Sequence, residues 1–416
     1  MTLSTRVVLS LLAGLAVGVA IAAIDNPTLE KLAHVIEPVG TLWLNALRMT
    51  VIPLVVALLI TGVASASETA STGRLAARAL LLFMLFMAVG AILSALLMPA
   101  VLSWWPVAAD AAAALRSGAS KAATLVPELP PLRDFFASII PANPFAAATQ
   151  GEMLPLVVFA LLFGFAAARI AIARREPLLG FFQSVVDTMF VLVHWVLQLA
   201  PIGVFVLALG VGIRGGVGAA GALVHYLVLL CGLAILITLL QYPVAVFAAR
   251  VAPGRFARAI APAQVVAFST QSSLASLPAM IERAKSHLGI PTRVTGIVLP
   301  LAVSLFRVTS PPMNIAIVIF VAHIYGVPLD ATRLAAGAAV AVLTNFAVVG
   351  LPSQITFFTT TVPISMAMGV PVELLPLLLA VEVIPDIFRT VGNVTADMTV
   401  TAVLAPRSGS SDTHQT

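Results

Sequence analysis

Five residues near the C-terminal end of the chain, Glu382, Asp386, Arg389, Asn393 and Asp397, are separated by 4, 3, 4 and 4 positions. That spacing puts all five on one face of a helix, inside an apolar run over about 372–404. A charge at the centre of a bilayer costs about 2.5–3.5 kcal/mol even on lenient insertion scales, so three acids and one base cannot face lipid. They must line a polar interior that binds a charged solute or balances charges on another helix. Arg389 suits a carboxylate, because its planar fork donates two parallel hydrogen bonds. Asp386, one turn earlier, suits an ammonium group. A purely structural Asp386–Arg389 ion pair is the plainer alternative at this spacing.

The elements that must position this stripe are read from composition. Of 416 residues, 60% are hydrophobic and 9% charged, against about 25% charged in soluble domains. With a mean hydropathy of +1.09, a water-soluble globular fold is excluded. At about 20 apolar residues per crossing, the chain is an all-α, polytopic membrane protein. Open sheets leave unsatisfied edges in lipid, and the apolar runs do not alternate as barrel strands do. Candidate helices fall near 6–24, 39–63, 75–103, 152–172, 182–213 and 217–249. Residues 104–151, rich in Ala and Pro, read as a long loop or a set of short segments, and 407–416 as a disordered tail.

The net charge of +5 and pI near 10.0 would point to nucleic acid in a soluble protein. Here the basic residues mark topology, and no nucleic-acid partner is expected. Thirteen of them (Arg6, Arg74, Arg78, Arg169, Arg174, Arg175, Arg250, Arg255, Arg258, Arg283, Lys285, Arg293 and Arg407) fall on one side. Six, Lys31, Arg116, Lys121, Arg133, Arg214 and Arg333, fall on the other. The richer side, with both termini, is expected to be cytoplasmic, in a multi-pass cell-membrane protein. The first span lacks a cleavage site and reads as a retained helix. The single cysteine, Cys231, permits no intrachain disulfide.

Regular spans break down in the second half. The segment APAQVVAFSTQSSLASLPAM, within 259–281, is apolar but cut by a Ser/Thr/Gln patch and closed by Pro278. Residues 335–368 repeat the pattern, AAGAAVAVLTNFAVV leading into Gly350-Leu351-Pro352-Ser353. Polar interruptions at membrane depth are tolerated only where backbone is buried in protein or lines a cavity. Two such segments in corresponding positions are a pointer to a transporter binding site.

The stripe DIFRTVGNVTADMT, residues 386–399, resembles the last helix of the glutamate/aspartate transporter family, the dicarboxylate/amino acid:cation symporters. AFSTQSSLASLP (267–278) is similar to the serine-rich tip of that family's first re-entrant hairpin, and GLP (350–352) to the tip of its second. RMTVIPLVVALLITGV (48–63), NPFAAATQGEMLPLVVFALLFG (143–164) and LAPIGVFVLAL (199–209) resemble its remaining helices. The resemblance implies eight transmembrane helices, two re-entrant helical hairpins, inverted repeats, and a homotrimer whose protomers each carry an elevator-type transport domain. On that reading residues 1–250 hold the scaffold and trimerisation helices with the transport domain's third and sixth helices. Residues 251–406 hold its core: hairpin 1 over 253–284, the seventh helix over 293–326, hairpin 2 over 332–369 and the eighth helix over 371–405. A bacterial inner membrane is the expected location.

Carried over residue by residue, the resemblance makes Asp386 the partner of a substrate amino group and Arg389 that of a side-chain carboxylate. Thr390 and Asn393 complete the pocket with Ser272 and Ser273, and Asp397 occupies a sodium-coordinating position. The substrate implied is an acidic amino acid or dicarboxylate. The sodium machinery does not match. Where the family's seventh helix reads Asn-Met-Asp-Gly-Thr, this chain reads Phe306-Arg307-Val308-Thr309-Ser310, so two oxygen ligands are replaced by apolar side chains. The third helix, where the family supplies Tyr, Thr and Ser to another sodium, reads Leu82-Phe83-Met84-Leu85-Phe86-Met87, and the second hairpin's tip is altered to Ser353-Gln354-Ile355. Asn393 and Asp397 remain as candidate residual sodium ligands, with no cofactor expected beyond a coupling proton or sodium ion.

Arg307 is expected to supply the positive charge a bound sodium would bring, pairing with Asp397, Asp386 or the substrate. An arginine that snorkels or pairs structurally, as expected of Arg48, is the alternative. Glu382 and Asp386 are candidate proton carriers, since low dielectric disfavours a charged carboxylate. Pro385 is expected to kink or loosen the helix between them. His194, His225 and His323 read as isolated packing or interfacial residues. The chain has no HExxH, GxSxG or paired-aspartate signature of an enzyme. The function expected is therefore secondary active transport with reduced or no sodium coupling. Its alternatives are a proton-coupled or uncoupled carrier of another carboxylate, an anion-conducting channel, or a sensor.

Overall fold

Lipid cannot hydrogen-bond an exposed backbone, so a chain this apolar must satisfy its peptide groups within helices. The computed structural model describes residues 3–24, 27–118, 140–150, 152–347 and 353–405, as sixteen helices without a strand among them. They are α1 (Leu3–Ile24), α2 (Pro27–Thr72), α3 (Arg74–Trp104), α4 (Ala109–Gly118), α5 (Pro144–Gln150), α6 (Met153–Ala167), α7 (Ile172–Gln198) and α8 (Ala200–Phe247). The second half holds α9 (Pro253–Thr270), α10 (Ser273–Ser286), α11 (Thr292–Leu305), α12 (Ser310–Tyr325), α13 (Ala331–Ala347), α14 (Ser353–Ala367), α15 (Leu375–Val381) and α16 (Val383–Leu404).

Among the described residues, five segments are long and apolar enough to cross a membrane: Thr5–Ile24, Arg74–Trp104, Ile172–Gln198, Ala220–Phe247 and Thr292–Tyr325. Large apolar side chains such as Leu12, Leu81, Leu96, Leu239 and Phe247 point outward, whereas Glu382, Asp386, Arg389 and Asp397 are buried. A lipid solvent rewards that distribution and water would not.

Helix α1 lies along α8, and α2 packs on α6, α7 and α8. The α1–α8 contact is close because of Gly14 and Gly18. A Cβ at either position would sit 2.5 Å from a backbone oxygen of α8, Phe205 O or Leu209 O. Small residues four apart allow this approach, where dispersion and not water expulsion drives association. Helix α16 is packed by α8, α9, α10 and α11, with α3 also against it, so its polar stripe is turned into the protein.

Helix α2 extends beyond the expected 39–63 at both ends and α7 begins at Ile172 instead of 182; three further differences each lie at a proline. The expected separation at 213–217 is absent: α8 runs through those residues, and the break falls at Leu199. Pro201 lies in the first turn of α8, where its missing N–H costs nothing. The expected continuous helix over 293–326 is interrupted at residues 306–309, because Pro311 and Pro312 can sit only in the first turn of a new helix. The last helix does not run unbroken from 372 but divides at Glu382 into α15 and α16. Pro385, expected to loosen this region, has no N–H to give to Val381.

The segment 104–151 contains α4 and α5, with 119–139 outside the described residues. The GLP at 350–352 and the tail 407–416 also lie outside them. Helices α9 and α10 pack on each other and meet at Gln271, whose φ of 52° makes a left-handed turn. Ser272 then caps α10, its hydroxyl oxygen accepting from Ala275 N at 3.2 Å.

Candidate solute site

The break between α11 and α12 leaves backbone groups that must be satisfied inside the protein. Phe306 N donates to Ala302 O at 2.7 Å, and Ser310 N to Arg307 O at 3.0 Å. Thr309 N has no helical partner and donates to Asn393 Oδ1 on α16 at 3.0 Å. The Thr309 hydroxyl lies 2.8 Å from the same oxygen and 3.1 Å from Arg389 O. This contact requires Gly392, where a Cβ would fall 2.5 Å from Thr309 Cγ2 and 2.8 Å from Thr238 Oγ1. The break and the polar stripe are thus locked together.

A cavity of about 270 Å³ opens beside this junction, between the α9–α10 turn, the break, the first turn of α14 and the α15–α16 division. Eight of the nine site residues expected from sequence line it: Ser272, Ser273, Arg307, Glu382, Asp386, Arg389, Thr390 and Asn393. Asp397 does not; it is fully buried one helical turn beyond. Asn393 reaches the cavity but spends its amide oxygen on Thr309.

Arg389 is held from three directions. Its Nη2 forms a short ion pair with Glu382 Oε1, and its Nη1 donates to Asn314 Oδ1 at 3.0 Å. Its Nε faces Asp386 Oδ1 at 3.9 Å, too far for a hydrogen bond, and is a buried donor without a hydrogen-bond partner. Tyr226 on α8 donates its hydroxyl to Glu382 Oε2 at 3.2 Å. Asn314 passes the network on, its Nδ2 donating to Thr360 of α14 at 2.8 Å. Neither Tyr226 nor Asn314 was singled out from sequence. Asn314 is a single amide in an apolar run and Tyr226 follows His225 in another; a polar residue inside a transmembrane helix is itself a signal of a partner on another helix.

Arg307, half-buried in the break, donates from Nη1 to Thr356 Oγ1 of α14 at 3.3 Å and lies within electrostatic reach of Asp386, Asp397 and Arg389. Both Asp397 oxygens are buried without a hydrogen-bond partner. On the other side of the break, Phe306 stacks on Phe83 at 4.6 Å and meets Phe86 edge-on at 6.0 Å. Val308 is buried too. These are the two positions at which the resembled family carries oxygen ligands. Of the two candidate sodium ligands, Asn393 is engaged by Thr309 and only Asp397 has unengaged oxygens. No group of three or more His, Cys, Asp or Glu suited to a metal ion occurs among the described residues.

The histidines are not all isolated. His225 stacks on Trp105 at 4.1 Å and lies within electrostatic reach of His323, while His194 lies 2.9 Å from the Gln198 amide. The side chains of Arg48 and of Ser353-Gln354-Ile355 are outside the described set.

An all-helical membrane protein that buries a charged, solute-sized cavity between broken helices belongs to the class of solute carriers. The comparisons are specific on this point: residues 3–406 match the family model described as the sodium:dicarboxylate symporter family, and the chain belongs to that family. The family is one of transporters, not enzymes. The chain is 26% identical over 392 residues to the proton/glutamate-aspartate symporter of Escherichia coli (strain K12), covering 89% of this chain and 85% of the relative. It is 25% identical over 418 residues to the C4-dicarboxylate transport protein of Deinococcus radiodurans, covering 100% and 91%. It is 29% identical over 425 residues to the human neutral amino acid transporter B(0), covering 94% and 77%.

Proposed function

We propose that this protein is a secondary active carrier of acidic amino acids or related dicarboxylates, working with reduced or no sodium coupling. The observation that carries this reading is the cavity itself. It presents a guanidinium, Arg389, and a carboxylate, Asp386, on one helix face, suited to the distal carboxylate and the amino group of one small zwitterion. Ser272, Ser273 and Thr390 supply hydroxyls, and the volume suits a molecule of that size.

Eight membrane spans, re-entrant hairpins, a homotrimer and an elevator movement of residues 251–406 past a scaffold belong to this proposal. The packed α9–α10 and α13–α14 pairs support it, because each meets the cavity or its border with a helix end. Low sodium coupling is supported by Phe306 and Val308 at the break. There Arg307 supplies a fixed positive charge between Asp386 and Asp397.

Uptake of aspartate, glutamate and succinate into proteoliposomes, with and without sodium, tests the reading. Saturable uptake with weak sodium dependence is expected. Steep sodium dependence overturns the Arg307 part, as does an Arg307→Met variant that transports normally without sodium. Substrate-independent current replaces the carrier reading with a channel.

A further inference from the structure

The α9–α10 pair has two ends of opposite character. Its turn, Gln271 to Ser273, lines the cavity. Its base, where α9 begins and α10 ends, carries Arg255, Arg258, Arg283 and Lys285. Arg250 precedes the base from beyond the end of α8, and Arg293 follows it in the first turn of α11. Residues 250–293 thus hold six basic side chains, all exposed except the half-buried Arg283, and one acid, Glu282.

Contacts within the base gather these charges without neutralising them. Arg255 Nε donates across the pair to His287 O at 2.7 Å, and Arg283 Nη2 donates back to Arg258 O at 2.9 Å. Arg258 Nε donates to Gly254 O at 3.1 Å, and Arg283 Nε is a buried donor without a hydrogen-bond partner. Every acceptor is a backbone carbonyl. Among the described residues, no ion pair joins any of the six to a carboxylate. Like charges at this spacing and across a helix pair repel. A topology signal needs basic residues on one side of the membrane, but it does not need them gathered on one pair of helices.

The depth of the base identifies the missing counter-charge. From Arg258 to the turn at Gln271, α9 rises about 20 Å. With the cavity near mid-depth, the base falls at the headgroup level of a bilayer whose hydrocarbon half-thickness is about 15 Å. The apolar span Ala220–Phe247 of α8 ends beside it, tied to α9 where Tyr242 meets Phe256 edge-on at 5.4 Å. The outward face of that span carries Leu236, Leu239 and Leu240 and ends in Phe247, which is 83% exposed. A soluble anion meets only the basic groups. A phospholipid meets both features, its phosphate on the basic groups and an acyl chain along the apolar face.

We infer that the base of the α9–α10 pair is a binding surface for an anionic phospholipid headgroup. The exposed arginines and lysine hold the phosphate, and the end of α8 receives the chain. The two helices that present Ser272 and Ser273 to the solute are thereby anchored to one leaflet. The surface is separate from the cavity and does not depend on which solute the cavity takes.

Native mass spectrometry of the purified full-length protein in neutral detergent, titrated with phosphatidylglycerol or phosphatidylcholine, tests the inference. The dissociation constant for phosphatidylglycerol should be about tenfold the lower of the two. Raising ionic strength from about 0.05 to 0.5 M should reduce that preference severalfold, a readout that needs no variant. The combined change Arg258→Gln, Lys285→Gln and Arg293→Gln should abolish it. Arg174→Gln, which removes a basic residue of α7, should leave it intact, and Phe247→Ser should weaken binding of both lipids. Equal affinity for the two lipids overturns the inference, as does a preference that survives the triple change or is lost equally in Arg174→Gln. Displacement by glycerophosphate or polyglutamate, which have no acyl chains, assigns the base to a soluble anion and overturns the lipid.

Discussion

The two sides of the α11–α12 break are built in opposite ways. Toward the cavity, Arg307, Arg389, Glu382 and Asp386 balance one another, and the amide oxygen of Asn314 and the hydroxyls of Tyr226 and Thr309 are spent on them or on the break. On the other side, Phe306 fits between Phe83 and Phe86, and Val308 is buried. Both sides must satisfy the same freed backbone in the same low dielectric. One does so with a network of charged side chains lining a cavity, the other with packed aromatic rings. A helix break in a membrane protein is therefore not in itself an ion site: its character depends on which side chains flank it.

The comparison is broken most severely at Arg389. Removing one partner of a buried ion pair costs about 3–5 kcal/mol, so Arg389→Gln should weaken aspartate binding by roughly a hundred- to several-thousandfold, read by calorimetry. A loss of only a few-fold would mean that the cavity does not use this guanidinium. On the aromatic side, Phe306→Ala should destabilise the protein by about 3–5 kcal/mol in a thermal-shift assay, without creating sodium dependence. The double change Phe306→Asn with Val308→Asp sharpens the contrast by returning oxygen donors to the break. Sodium should then improve aspartate affinity by about tenfold, roughly 1.4 kcal/mol; no effect would show that side chains elsewhere exclude the ion. The smallest effect is expected for Asn314→Ala, which removes one neutral partner of Arg389. About 1 kcal/mol, or roughly fivefold in affinity, should be lost, with protein stability changed by a similar amount.

Much of the site was legible before any coordinates, because the cost of burying charge leaves few options for Glu382, Asp386, Arg389, Asn393 and Asp397 at helical spacing. The serine patch at Ser272 and Ser273 and the arginine at Arg307 were legible for the same reason, each being polar where its surroundings are not. Element boundaries were less so. A run of apolar residues does not say where a helix stops, and the positions of Pro201, Pro311 and Pro385 became meaningful only with the breaks in view. Tyr226 and Asn314 escaped because a single hydroxyl or amide in an apolar helix carries no spacing pattern; what each does is defined by a partner more than seventy residues away.

By itself, then, the sequence determined that this protein lives in a bilayer, that its polar stripe must face inward, and that the stripe has the donors and acceptors for a small zwitterion. Those conclusions follow from transfer free energies and helical periodicity, which are local properties of the chain. Only the tertiary structure decided that Glu382 already occupies Arg389, that Asn393 is spent on the break, and that Phe306 is packed between two other rings. Each of these is a pairing between residues far apart in sequence, and which buried group satisfies which other is settled by how helices pack.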